Sequence, residues 1–176
     1  MSSQYPLPLI EYKKILYVTD LSQSGRRAFP HAYGIARRNN ARLTVFHVVD
    51  DRDLHSLTSY VSDELWEELS SRNLDDARQI LLDRRRENLA VKEVEQFCEE
   101  CLSDHPERPD GGYDIKVEAG ERLEKILEEA HGGGYDLLVA SKHGNRASVK
   151  DAVIGDTTRR IIRRCRIPVL VVPLDD

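Results

Sequence analysis

ILYVTDLSQSGRRAFPHAYGIARRNNARLTVFHVV, residues 15–49, sets two short apolar, β-branched runs on either side of a helical stretch. The runs 15–19 and 43–49 read as buried strands, because short apolar segments bounded by polar residues suit the interior of a parallel sheet. Between them, Ser22 or Ser24 can cap a helix whose apolar face is Ala28, Phe29, Ala32, Ile35 and Ala36. Pro30 lacks a backbone donor and crowds the preceding turn, so this helix is expected to start late or to kink there.

The same alternation returns towards the C-terminus. Residues 114–119 alternate like a strand and end at Gly120, and 122–131 read as a helix with Leu123, Ile126, Leu127 and Ala130 on one face. Gly132, Gly133 and Gly134 stop it. A strand at 137–140, a helix at 157–164 with Ile161 and Ile162, and a last strand at 169–172 closed by Pro173 complete the pattern. Strands alternating with helices make βαβ units, and right-handed crossovers then give an α/β fold: an open, doubly wound parallel sheet with helices on both faces.

The segment 58–103 is almost entirely helix-forming. A single helix of that length would span about 70 Å, whereas a domain of this size is about 40 Å across. Two helices are therefore expected, with a bend in the polar stretch 83–88, followed by a turn-rich loop, SDHPERPDGG, at 103–112.

At 176 residues, 40% hydrophobic and 32% charged, the chain reads as one folded domain over 1–176 rather than a disordered polymer. No apolar run approaches the roughly 20 residues of a membrane span, and the start, MSSQYPLPLIEYKK, has no basic stretch leading into an apolar core. A cytoplasmic location is expected, with no membrane partner. The net charge of -5 also gives no general attraction to nucleic acid. Arg159, Arg160, Arg163, Arg164 and Arg166 cluster locally and read as a solvated helix end.

Three cysteines without a leader argue against a disulfide framework. Cys98 and Cys101 form C-x-x-C ahead of His105, but Glu95, Glu99 and Glu100 oppose a thiolate and the spacing suits a buried helix face. No metal site is expected from them.

In an open parallel sheet, ligands bind beyond the carboxyl ends of the strands, where the strand order reverses. Three segments should meet there: Thr19, Asp20 and Leu21; residues 48–51; and the glycine-punctuated loop SKHGNRASVKDAVIGDTT at 141–158, which leads from a strand into a helix and can present backbone amides to an anion.

Over essentially its whole length the chain resembles the universal stress protein family. ILYVTDLSQSGRRAFPHAYGIARR resembles that family's first strand, aspartate and helix; LTVFHVV its second strand; VEAG its third; DLLVASKHG its fourth; and CRIPVLVVP its closing strand. The resemblance implies five strands in the order 3-2-1-4-5, a homodimer often joined through the last strand, here Val169 to Val172, and in one branch an ATP site of pattern G-x-x-G, nine residues, G-[ST]. By that pattern the nucleotide-binding residues are Val18, Thr19, Asp20, Val48, Ser141, His143, Gly144, Gly155, Asp156 and Thr157.

Here the phosphate part of the pattern is altered. Ser141 replaces its first glycine, ten residues (145–154) separate Gly144 from Gly155, and Asp156 stands in place of the serine or threonine. A carboxylate about 4 Å from a phosphate charge repels it by about 4 kcal/mol at an effective dielectric of about 20. Lys142, Arg146 and Lys150 offset part of that, and Thr157 can donate a hydroxyl if the longer loop shifts. Asp20 should accept hydrogen bonds from adenine or ribose, or else cap the turn after the strand. Val18 replaces a usual proline.

The expected function is that of a non-catalytic, homodimeric stress-response regulator. Its degenerate crevice would hold AMP or ATP weakly, with magnesium only as a companion of the nucleotide, and it would act through a protein partner. The rivals are a slow ATPase and a purely structural dimer with a vestigial crevice. No spacing of His, Asp and Lys marks a catalytic base.

Overall fold

The computed structural model describes residues 9–49, 75–103, 112–142 and 154–173. Five strands, β1 (Lys14–Thr19), β2 (Arg42–Val49), β3 (Asp114–Ala119), β4 (Leu137–Ser141) and β5 (Val169–Val172), form one sheet in the order β3-β2-β1-β4-β5. All four neighbouring pairs are parallel. Among the described residues four helices, α1 (Gln23–Asn39), α2 (Asp75–Leu102), α3 (Arg122–Gly132) and α4 (Asp156–Arg164), lie between the strands in sequence.

Period-two alternation divides each central strand between two cores. Ile15, Tyr17, Leu43, Val45, Leu137 and Val139 face α1 and α2, against Ala28, Phe29, Ala32, Val94, Phe97 and Cys98. Leu16, Phe46, Val48, Leu138 and Ala140 face the other way, against Leu123, Ile126, Leu127 and Ala130 of α3 and Ile161 of α4. At the opposite end from the crevice, the Asp136 carboxylate accepts from the amides of Lys13 and Lys14 at 2.7 and 2.8 Å and ties the start of β1 to that of β4.

The expected late start of α1 is corrected: the helix begins directly after its cap, with the Ser22 side chain accepting from Gly25 N, and its span runs through Pro30. Pro30 cannot donate to the Arg26 carbonyl, and the Cys101 thiol contacts that carbonyl instead at 3.9 Å, a weak bond that links α1 to α2. The bend at 83–88 does not occur either, because α2 is continuous across it. Its 28 residues, about 42 Å long, hold no glycine or proline, and Arg86 pairs with Asp83 one turn away at 3.3 Å. From Ala90 onward α2 packs on the sheet through Ala90, Val94, Phe97 and Cys98, while most of 83–89 is exposed. The first part of the helical segment, 58–74, lies outside the described residues.

Helix α3 ends as its glycines require. Gly133 caps it by donating to the Glu129 carbonyl at 2.8 Å, and Gly134 takes φ 68°, a left-handed conformation that costs glycine little.

Candidate functional site

Strand β1 is central: the chain leaves it towards β2 on one side, while β4 pairs on its other side, so the order reverses between β1 and β4. Val18 is registered with Ala140, which puts the ends carrying Thr19 and Ser141 side by side. This is the switch point at which a doubly wound sheet is expected to open a ligand crevice.

The turn after β1 is held closely. The Leu21 amide donates to Thr19 Oγ1 at 3.0 Å, and the Ser22 amide to Asp20 Oδ1 at 3.1 Å. These side-chain turns allow Leu21 to sit at φ 60°, which a branched residue rarely adopts. Beneath them, Tyr17 Oη donates to the Gly25 carbonyl at 2.7 Å. A Cβ on Gly25 would stand 2.7 Å from Thr19 Oγ1 and 3.3 Å from Tyr17 Oη, so only glycine lets α1 approach β1 this closely. Asp20 thus serves as a turn acceptor and stays half-exposed just beyond the carboxyl end of β1.

His47 lies beside this turn and was not among the residues picked from the sequence. It is registered with Thr19, and its Nδ1 stands 2.9 Å from the Thr19 carbonyl. Since a carbonyl only accepts, Nδ1 carries the proton. Burial pushes the imidazole below its ordinary pKa and Arg122 adds to this; the bond to Thr19, Asp20 and Glu93 oppose it. One signal existed in the sequence: a polar ring inside the apolar run LTVFHVV.

At the other end, Gly155 caps α4 and donates to the Lys142 carbonyl at 3.0 Å, while Lys142 N donates to the Val172 carbonyl at 2.8 Å. Thr158 Oγ1 donates to the Ser141 carbonyl at 3.0 Å, fixing the start of α4 to the end of β4. Asp156 occupies the first helical position, with Thr157 half-buried next to it. The Asp156 side chain, 55% exposed, pairs with Arg159 at 2.6 Å and Arg160 at 2.9 Å. The helix's positive end therefore already has an anion of its own, one whose charge two arginines partly cancel.

The remaining expected positions divide. Val48 is 3% exposed in the core, so its backbone is what it can offer a ligand, and Val18 packs partly against the same core. His143, Gly144, Arg146 and Lys150 lie outside the described residues, as does His105. Cys98 packs in the core, and burial first of all pushes its thiol up to about 12 and that of Cys101 up to about 11. Among the described residues no group of three His, Cys, Asp or Glu side chains is placed to hold a metal, and no helix is long and apolar enough to cross a membrane.

Comparison with known proteins agrees with this architecture. Residues 11–173 match the universal stress protein family. A universal stress protein of Methanocaldococcus jannaschii is 27% identical, with 93% of this chain and 96% of that protein covered. Among solved structures, a universal stress protein from Lactobacillus plantarum superposes with a TM-score of 0.65 at 24% identity, over 93% of this chain and 99% of that one. A universal stress protein crystallised in complex with cAMP superposes with a TM-score of 0.54 at 18% identity, over 93% and 98%. A five-stranded 3-2-1-4-5 parallel sheet, a strand order that reverses between β1 and β4, and a family match across nearly the whole chain lead to one conclusion: this chain belongs to the universal stress protein family.

Proposed function

We propose that this chain is a non-catalytic stress-response regulator whose crevice holds an adenine nucleotide chiefly by its base and ribose, and that it works as a homodimer through a protein partner. The observation that carries the reading is Asp156 at the first position of α4, where a phosphate chain would otherwise meet free backbone amides and the helix dipole. Arg159 and Arg160 weaken its repulsion of phosphate below the unpaired value of about 4 kcal/mol, but these two cations are engaged in doing so. Affinity should then come from the turn carrying Thr19 and Asp20. A small anion such as a single phosphate is tolerated better than a triphosphate. The family neighbour in complex with cAMP, a nucleotide with one phosphate, is compatible with this preference.

Asp20→Ala tests the reading. The substitution should weaken AMP binding by about tenfold, the worth of a charge-assisted hydrogen bond, while the melting temperature falls little. The wild-type protein should release no phosphate from ATP above background over hours. Unchanged AMP affinity in a folded Asp20→Ala variant would return Asp20 to a turn role only. Steady phosphate release abolished by a crevice substitution would favour the slow ATPase.

A further inference from the structure

We propose that His47 is a positioning residue of this crevice, holding the end of β1 so that Asp20 is presented at a fixed angle. The ligand part of this proposal rests on the adenine-nucleotide reading above. Thr19 is the last residue of β1, and its carbonyl belongs to the peptide that leads into Asp20. Its orientation therefore sets where the Asp20 side chain starts.

The strand's polarity places the group. Lys13 O accepts from Arg42 N and Lys14 O from Asp136 N, so carbonyls of odd-numbered residues in β1 point to β2 and even-numbered ones to β4. Thr19 is thus the last carbonyl directed at β2, where the ladder register gives it the Val48 amide, and the imidazole N–H of its register partner adds a second donor at 2.9 Å. His47 shares the sheet face of Leu43 and Val45, the face against which α1 packs, so the ring stands on the same side as Thr19 Oγ1 and Gly25. The turn is then held from two directions. Tyr17 and Gly25 support it from beneath, and His47 fixes it laterally.

The Nδ1 proton makes this bond whether the ring is neutral or charged; burial together with Arg122 favours the neutral ring, against the Thr19 carbonyl, Asp20 and Glu93. Leu21 at φ 60° is a conformation that persists only where its surroundings hold it, and an anchor at Thr19 adds to that hold.

The test compares His47→Leu, which fills the space without a donor, with His47→Asn, whose amide N–H lies near the position of Nδ1. In the ligand-free protein, His47→Leu should speed hydrogen exchange at the Leu21 and Ser22 amides by about tenfold, and His47→Asn should leave it within about threefold of wild type. The Leu138 amide, which donates to the Pro168 carbonyl within the sheet, should exchange at an unchanged rate in both. AMP affinity should follow the same order. Equal acceleration by both variants, or none by either, overturns the proposal.

If AMP does not bind the wild-type protein while the exchange pattern holds, the nucleotide reading fails and the positioning role of His47 stands. Should His47→Leu not fold, the imidazole nitrogen shifts of the wild-type protein decide. A ring with its proton on Nε2 contradicts the proposal.

Discussion

His47 and Asp156 show how single side chains shape this site through what they bond. His47 titrates below 6.5, the ordinary histidine value, because burial and Arg122 disfavour its charged form more than Thr19, Asp20 and Glu93 favour it. As pH falls through about 6.5 the unfolded chain takes up the proton first, so stability drops until the folded state is protonated as well. Melting between about pH 7.5 and about pH 5.5 should therefore show a loss that His47→Asn reduces; the lowered pKa of Glu100 acts only below 4.5, outside that window. An identical pH dependence in the two proteins would mean that His47 is not the group responsible. Asp20 was legible in the sequence because it directly follows a clear strand. His47 was not, because a histidine in an apolar run usually reads as core. The ion pairs of Asp156 with Arg159 and Arg160 follow helix spacings of three and four, so that signal was present in the sequence.

Among the elements, α1 joins fold to site, and its two glycines play opposite parts. Gly25→Ala drives a methyl against Thr19 Oγ1 and Tyr17 Oη and should cost about 1–3 kcal/mol. At Gly34 no atom lies within 4 Å of the added Cβ, so Gly34→Ala should stabilise the helix by about 0.5–1 kcal/mol. Urea unfolding of both variants checks the pair, and similar shifts of the same sign would show that the contact at Gly25 is easily relieved. Strand positions were legible to within a residue because parallel strands buried on both faces are apolar runs. The helices were read less well. Pro30 is tolerated because it lies on the exposed side of α1 and the Arg26 carbonyl, to which it cannot donate, meets the Cys101 thiol. The stretch 83–88 stays helical because a polar run of arginine and glutamate has no reason to break a helix without glycine or proline.

At the scale of the whole molecule, the order 3-2-1-4-5 leaves β5 at an edge and the crevice at the centre. The Pro168 and Val172 carbonyls accept from Leu138 N and Lys142 N, so the backbone groups of Val169 and Val171 point away from β4, along the outer edge of the sheet. An apolar edge strand of this kind is a liability alone and suits antiparallel pairing with a twofold mate. In light scattering, Val171→Pro should abolish the proposed dimer, by removing an outward donor while sparing the β4 ladder, and Val171→Thr should retain it. A wild-type protein that stays monomeric at high micromolar concentration would end the dimer proposal. The proposed crevice, with an adenine end kept and no preference for a phosphate chain, is decided by calorimetry of the wild-type protein with AMP and with ATP, each with and without magnesium. ATP should bind no tighter than AMP in either condition, and a clear magnesium-dependent preference for ATP would overturn the proposal.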